Sequence, residues 1–274
     1  MSPAEPRSYD PHATVAGLDG ELLRLEAQAQ LSWPAELAAL RRAGLRDGVT
    51  VLDAGCGSGA ITARLAQALP GARILALDSD PELLAHARRR LAEHGERVRV
   101  LEGTVQDPPP AARGADFALL RLVLQHQADP VDAVRGLAAT MAAGGVLAAI
   151  DVDGGLWGLA EPFFPELMAI HARAWQSQQQ RGGDRFIGRR LTRILSRAGL
   201  LEPTLELAAA HSDQLGTERF AALLDPQELQ PRVADGTLTL AEYGRLHAAY
   251  RRFMQDPEAL VMTVSFVAAG RVPG

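Results

Sequence analysis

A group of glycines and carboxylates near residue 55 has the residue types that bind a nucleoside. Gly55, Gly57 and Gly59 follow an apolar run that contains Asp53, and Asp78 ends the next apolar run. Glycine has no Cβ and lets a ligand touch the main chain, while the helix after such a turn presents unpaired N–H groups. A carboxylate placed like Asp78 can accept hydrogen bonds from both hydroxyls of a ribose. The spacing therefore predicts a site for a nucleoside derivative.

Short apolar runs that alternate with amphipathic runs must position these residues. Strands are predicted in VTVLDAG, RILALD, RVRVLEG, ADFALLRLVL and GVLAAIDV, with helices between them in AITARLAQAL, PELLAHARRRLAEHG and DPVDAVRGLAATMAAGG. The strands are continuously apolar, which is typical of parallel strands covered by helices on both faces. Ligands of such sheets bind beyond the carboxyl ends of the strands, where the glycine turn lies. We therefore predict an α/β, Rossmann-like fold.

The pattern changes after residue 151. A long helix is predicted in LAEPFFPELMAIHARAWQSQQQ, a loop at RGGD and a second helix in FIGRRLTRILSRAGL. The final segment, ALVMTVSFVAAGRVP, has the character of a strand. The end of the chain is thus expected to complete the sheet.

Composition and charge exclude several classes of function. The 274 residues carry a formal net charge of -5 from well-mixed acids and bases, so no basic surface for nucleic acid is expected. No apolar run is long enough to span a membrane, and MSPAEPRSYDP shows no secretory signal, so a cytoplasmic protein is expected. The single cysteine, Cys56, makes no internal disulfide, and no Cys/His spacing predicts a metal site.

The glycine run alone does not identify the nucleoside. GCGSGA at 55–60 also satisfies the loose dinucleotide fingerprint of nicotinamide enzymes. Asp53 favours S-adenosylmethionine, because a carboxylate there can receive the ammonium of a methionine moiety but would repel a pyrophosphate. The chain also has no segment that reads as a second, hydride-accepting domain. An NAD(P)-dependent oxidoreductase stays open as the alternative.

Several motifs, in order, resemble those of the class I S-adenosylmethionine-dependent methyltransferases. They are VLDAGCGSG, LALDSDPELLAHAR, EGTVQD, FALLRLVLQHQADP and GGVLAAIDVD. The flanks ELLRLEAQAQL, GRRLTRILSRAGL and FVAAGRVP resemble a bacterial small-molecule, natural-product branch of that family. The resemblance implies a seven-stranded, mostly parallel sheet with an antiparallel last strand. It divides the chain into N-terminal lid helices (1–45), a cofactor-binding core (46–153), and acceptor-binding helical insertions with closing strands (154–274).

The same resemblance assigns cofactor contacts residue by residue. The positions implied to hold the methionine end, the ribose, the adenine and the sulfonium are, in chain order, Asp53, Gly55, Cys56, Gly57, Asp78, Ser79, Thr104, Val105 and Arg121. Many relatives have an aspartate where this chain has Thr104. Gln106 or a backbone group is therefore left as the partner of the adenine amino group.

The lid is expected to reach the methionine carboxylate. Arg24 and Gln28 lie on adjacent turns of one predicted helix, and Tyr9 precedes it. An ion pair of Arg24 with Glu21 or Glu26 on an exposed helix face is the alternative.

Methyl transfer depends mainly on an acceptor held in line with the methyl group in a site without water. A hydroxyl, phenol or carbon acceptor also needs a base. His126, after the fourth strand, is the first candidate, and Asp151 and Asp153, after the fifth, are the next. An amine with a depressed pKa needs none.

The acceptor is expected to be a small, partly apolar metabolite. Large apolar side chains after the core are candidates to line its pocket or to form the core of the cap helices: Trp157, Phe163, Phe164, Met168, Trp175 and Phe186. The sequence leaves open whether the acceptor atom is oxygen, nitrogen or carbon. It also leaves open a homodimer, and a protein that binds S-adenosylmethionine without methyl transfer, as a cyclase or sensor.

Overall fold

The computed structural model describes residue 9 and residues 17–156, 159–163, 165–234, 236 and 238–274. Within these residues the strands are β1 (Thr50–Ala54), β2 (Arg73–Asp78), β3 (Val98–Glu102), β4 (Ala115–Arg121), β5 (Met141–Val152), β6 (Leu159–Glu161), β7 (Leu201–His211) and β8 (Leu260–Arg271). The helices are α1 (Gly17–Arg42), α2 (Ala60–Ala68), α3 (Pro81–Leu91), α4 (Pro130–Ala138), α5 (Pro165–Gln180), α6 (Leu191–Arg197), α7 (Ser212–Leu215), α8 (Ala221–Leu224), α9 (Gln230–Ala234) and α10 (Leu240–Gln255).

The strands form one mixed sheet. Their order is β3, β2, β1, β4, β5, β8, with β7 on the far side of β8 and β6 beside the start of β8. The strands β1 to β5 pair in parallel, whereas β8 runs antiparallel to β5, β6 and β7. The predicted α/β fold, mostly parallel with an antiparallel last strand, is confirmed. The short β6 is an addition, because Leu159–Glu161 lies in a segment for which the sequence predicts only helix.

Helices cover both faces of the sheet, which explains the continuously apolar strands. Val51, Leu52 and Ala54 of β1 are fully buried. On one face the core includes residues of α1, α2 and α3, and on the other it includes residues of α4 and α6. Burial on both sides leaves only the ends of the strands for chemistry.

Helix α1 is anchored by a buried ion pair. Glu36 has no exposed surface, and it accepts hydrogen bonds from Arg121 Nε at 2.7 Å and from Ser265 Oγ at 2.9 Å. A second guanidinium nitrogen of Arg121 donates to Ser32 Oγ at 2.7 Å. The pair therefore joins α1 to the carboxyl end of β4 and to β8.

The first half of α1 is held by more exposed contacts. Glu26 accepts hydrogen bonds from Arg64 of α2 and Arg90 of α3, each at 2.5 Å. Pro34 lies between the two anchoring glutamates and interrupts the helical hydrogen bonds, since proline has no N–H. Within the described residues of the predicted lid at 1–45, which are 9 and 17–45, α1 is the one helix.

The helices between β7 and β8 pack around a third apolar cluster, to which Leu31 of α1 and Leu167 of α5 also contribute. Phe220, Leu246 and Phe253 are almost fully buried in it. Helix α10 begins with a capping box, in which Thr239 and Glu242 each bond the other's backbone or side chain. Glu242 also pairs with Arg173 of α5 at 3.2 Å, which joins α10 to α5. The other end of α5 reaches the carboxyl edge of the sheet, where Gln178 donates to the carbonyl oxygen of Gln125.

None of the described helices combines the length and the apolar character that a bilayer span requires. In the same part of the chain, no three His, Cys, Asp or Glu side chains are grouped as a metal ion would need. The polar side chains that do converge lie at the carboxyl ends of β1, β2 and β4.

The Glu36 contact yields a prediction about stability. We expect Glu36→Ala to lower the free energy of unfolding by about 3–5 kcal/mol, because it leaves the Arg121 guanidinium buried without its carboxylate. The control is Glu206→Ala, which removes the solvent-exposed pair with Arg42 and is expected to change little. Urea denaturation measures both variants, and equal losses would contradict the assigned role of Glu36.

Candidate functional site

The glycine turn after β1 is fastened to the end of β2. The backbone N–H groups of Gly55 and Cys56 both donate to the carbonyl oxygen of Leu77, at 2.7 and 2.9 Å. Gly55, Gly57 and Gly59 all have positive φ, at 80°, 54° and 78°, which side chains disfavour. The sequence therefore folds here into a turn that only glycine forms without strain.

The three glycines serve different purposes. A Cβ on Gly55 would lie 2.3 Å from Val123 Cγ2, and one on Gly59 would lie 3.1 Å from Leu91 Cδ1. A Cβ on Gly57 would meet no protein atom within 4 Å. Gly55 and Gly59 thus permit close packing, whereas Gly57 faces open space in the cavity described below.

Asp78 shapes the turn with its carboxylate. It accepts hydrogen bonds from the N–H groups of Gly57, at 2.7 Å, and Asp80, at 3.0 Å. Burial raises the pKa of Asp78, and these N–H groups partly offset that rise. The start of α3 is capped by Asp80, which accepts from the N–H groups of Glu82 and Leu83. Asp78 is therefore not the helix cap, and its carboxylate lines the cavity.

Asp53 lies beneath the turn and is almost fully buried. Its carboxylate accepts a hydrogen bond from Thr62 Oγ1 at 2.6 Å. Burial raises its pKa to about 6, although the Thr62 bond and the charge of Arg121 oppose the rise. Burial, followed by the charges of Asp53 and Asp78, likewise raises the pKa of the Cys56 thiol, which keeps it protonated.

These residues border one cavity of about 600 Å³ at the carboxyl edge of the sheet. All the sequence-predicted cofactor residues contribute to its wall: Tyr9, Arg24, Gln28, Asp53, Gly55, Cys56, Gly57, Asp78, Ser79, Thr104, Val105 and Arg121. Residues 103–106 of the loop after β3 form one side, and residues 24–29 of α1 form another. A turn, two strand ends and the lid helix thus converge on one concave site.

Two of the predicted arginines are held by glutamates. Arg121 donates to Glu36, and Arg24 donates through two nitrogens to Glu21, at 2.8 and 2.6 Å. The hydroxyl of Tyr9 donates to the same Glu21 carboxylate at 2.7 Å. The ion-pair alternative for Arg24 is therefore present, with the buried Glu21 as its partner, while Arg24 still lines the cavity.

His126 lies on the turn after β4 and contributes to the cavity wall. Its ring centroid is 5.2 Å from that of Tyr9, and its Nδ1 lies 3.4 Å from Gln178 Nε2. Burial, followed by the charges of Arg185, Arg24 and Arg181, lowers the pKa of His126 to about 3. The imidazole is therefore neutral around pH 7 and has a lone pair, but it is a weak base in this state.

Asp151 lies behind this turn rather than in the cavity wall. It is fully buried and accepts hydrogen bonds from the N–H groups of Gln125 and Val152, both at 3.0 Å. Burial raises its pKa to about 7, against the effect of these N–H groups. Asp153 pairs with Arg189 at 2.5 Å. The arrangement positions Asp151 to hold the turn that carries His126.

Sequence reasoning did not assign several polar residues of the cavity wall. They are Ser58, Asp80, Gln125, Gln127, Arg181 and Arg185. Arg185 donates to Gln125 Oε1 at 2.5 Å. The only local signal for the two arginines is the RGGD loop, where paired glycines allow a sharp return of the chain.

The large apolar side chains that were predicted to line an acceptor pocket do not line this cavity, as far as the structure describes them. Trp175 packs edge-on against Phe186, at 5.5 Å between centroids, and Phe163 is largely exposed. None of these three side chains lines the cavity, and Met168 does not line it either. Trp157 and Phe164 lie outside the described residues.

Comparisons with known proteins identify part of the chain. Residues 51–145 match a family described as a methyltransferase domain. An uncharacterised 37.1 kDa protein in a transposon of Streptomyces fradiae is 32% identical over 58% of this chain and 46% of its own length. A ubiquinone biosynthesis O-methyltransferase of Methylocella silvestris is 30% identical over 56% of this chain and 59% of its own. The chain thus spans about half the length of these curated relatives.

One solved structure shares the fold. A phosphoethanolamine N-methyltransferase of Haemonchus contortus, in complex with phosphomonomethylethanolamine and S-adenosylhomocysteine, is 19% identical to this chain. The match has a TM-score of 0.53 and covers 88% of this chain and 53% of that protein. At this identity the likeness concerns the fold.

The geometry of the turn yields a prediction for its glycines. We expect Gly57→Ala to cost about 1 kcal/mol of stability, from the positive φ alone. Gly55→Ala adds a clash with Val123 and is expected to cost roughly 2–4 kcal/mol. Chemical denaturation measures both. The double variant Gly55→Ala/Val123→Ala should recover part of the loss, and a failure to recover would show that the clash is not its cause.

Proposed function

We propose that this chain is a class I S-adenosylmethionine-dependent methyltransferase and that it moves a methyl group from S-adenosylmethionine to an oxygen, nitrogen or carbon atom of a small metabolite. The observation that carries the proposal is the joining of the glycine turn, Asp53 and Asp78 in one cavity within the matched domain.

The residues present fit the cofactor. The open space above Gly57 admits a ligand against the main chain, and Asp78 lies beside it to accept bonds from a ribose. Asp53 supplies negative charge for the ammonium of the methionine end, and the apolar Leu83 and Val105 lie where an adenine would pack. When bound, S-adenosylmethionine supplies an electrophilic methyl group on a sulfonium that is a good leaving group.

The carboxyl groups around the glycine turn also argue against a nicotinamide dinucleotide. Asp53, Asp78 and Asp80 all line the cavity around the glycine turn. A pyrophosphate placed there would face three carboxyl groups, which repel it unless they are protonated. The same carboxyl groups favour a ligand with a positive charge.

The chain's own contribution is positioning and protection from water. Helix α1 covers the cavity, and the Arg121 and Glu36 pair holds it against the ends of β4 and β8. Leu122 has a positive φ of 59°, an unusual conformation for leucine, directly before the residues that border the acceptor side. In the neutral ring of His126 the amide of Gln178 can donate only to an Nδ1 that has the lone pair, which leaves the proton on Nε2. For His126 to take a proton from the hydroxyl of a methyl acceptor, that 3.4 Å contact must give way to the acceptor.

The identity of the cofactor can be tested by measuring binding. We expect the protein to bind S-adenosylhomocysteine and not NADH in calorimetry, and Asp78→Ala to weaken that binding at least about tenfold. Asp129→Ala is the matched control, since Asp129 caps α4 through two N–H groups but does not line the cavity. Tight binding of NADH without affinity for S-adenosylhomocysteine would overturn the proposal.

Turnover tests the acceptor side. With methyl-labelled S-adenosylmethionine and candidate acceptors, we expect His126→Ala to bind the cofactor normally and to slow methyl transfer by about 10²-fold. His86→Ala, which alters a histidine of α3 outside the cavity wall, is the control. An unchanged rate in His126→Ala would remove His126 from the reaction, whereas a bound cofactor that never loses its methyl group would favour a cyclase or a sensor.

A further inference from the structure

The cavity has an acidic end and a basic end. Asp53, Asp78 and Asp80 line it around the glycine turn, whereas Arg181 and Arg185 line it beside His126. Among the described residues, the carboxylates of the wall are confined to the first end. The proposed cofactor occupies that first end, so the basic end is left for the acceptor.

Both arginines belong to the loop that follows α5. The N–H of Asp184 and the side-chain amide of Gln178 donate to the carbonyl oxygen of Gln125, at 2.8 and 3.1 Å. Arg185 donates to the side chain of the same Gln125. The loop is thus docked on the turn after β4, which keeps Arg181 and Arg185 at the cavity wall.

Two carboxyl groups lie close to this end without being part of the wall. Glu21 is paired with Arg24. Asp151 faces Arg185 from behind, and burial raises the pKa of Asp151 to about 7. Burial lowers the pKa of Arg185 to about 10, so the guanidinium is still charged. The described wall of this end therefore carries two guanidinium groups and no carboxylate.

We propose that the acceptor is a small acid whose oxyanion, a carboxylate or a phosphate, is bound by Arg181 and Arg185; this inference rests on the proposed methyl transfer. A guanidinium matches such groups with two parallel hydrogen bonds. A cavity of about 600 Å³ that also holds a nucleoside leaves room for a small acceptor only. Burial is the main cause of the low pKa of His126, and the arginine charges come second. A bound anion offsets those charges, so it raises the pKa of the imidazole while the effect of burial stays.

The experiment uses the full chain saturated with S-adenosylhomocysteine. Calorimetry compares matched probes that differ in charge: benzoate with benzamide, 3-phenylpropanoate with its amide, and phenyl phosphate with phenol. We expect at least one anionic member to bind about tenfold or more tightly than its neutral partner, and the carboxylate and phosphate pairs tell the two oxyanions apart. Arg181→Gln should remove most of that preference and leave affinity for S-adenosylhomocysteine unchanged.

Two further variants keep the test decisive. Arg251→Gln, on the exposed face of α10, should keep the preference. Arg185→Lys retains the charge but loses the guanidinium that holds Gln125. It should lower the affinity for the anionic probe less than the double variant Arg181→Gln/Arg185→Lys does. Neutral probes that bind as well as anions, or no probe binding at all, would overturn the acidic acceptor while leaving the methyl-transfer proposal intact. If S-adenosylhomocysteine itself does not bind, both proposals fail.

Discussion

The carbonyl oxygen of Leu77 is the point on which the site depends. By accepting from both Gly55 and Cys56, it closes the turn after β1 onto the end of β2. Asp78, the next residue of β2, then reaches back to the N–H of Gly57. Two adjacent residues of one strand therefore determine the shape of a turn on its neighbour, and parallel pairing is what brings them within reach.

Electrostatic asymmetry follows from this placement. The strands end in carboxylates at β1 and β2, while the loop after α5 brings arginines to the other end of the cavity. Burial acts on both: it raises the pKa of Asp53 and lowers the pKa of His126 and Arg185. These buried groups have lost part of their stabilisation by water. A ligand with a positive charge at the acidic end, and a second molecule with a negative charge at the basic end, would each replace it.

The sequence predicted the elements whose signals are local. The alternating runs gave the core strands, and the glycine spacing with Asp53 and Asp78 identified the turn, because strand, turn and helix preferences act over a few residues. The sequence did not indicate contacts between residues that are far apart in the chain. Arg121 was expected at the cofactor and does line the cavity, but the sequence did not indicate that its guanidinium pairs with Glu36, 85 positions away in the chain.

The acceptor side was less predictable for the same reason. Asp151 was a candidate base from its place after β5, yet its oxygens bond backbone N–H groups behind the cavity. Arg181 and Arg185 reach the cavity only because their loop docks on Gln125, a contact between segments far apart in sequence. The three-residue β6 was hidden inside a helical pattern, since pairing with β8 outweighed its local preference.

Pro34 gives helix α1 two halves with unequal attachment. Beyond it, Glu36 is sealed in the interior with Arg121, whereas before it Glu26 is 38% exposed and its ion pairs are weakened by water. The ion pairs that join the first half to α2 and α3 are therefore weaker than the one that anchors the second half, and the first half is held mainly by buried side chains such as Ala29, Leu31 and Trp33. Arg24 and Gln28, which line the cavity, belong to the half of α1 whose ion pairs water weakens.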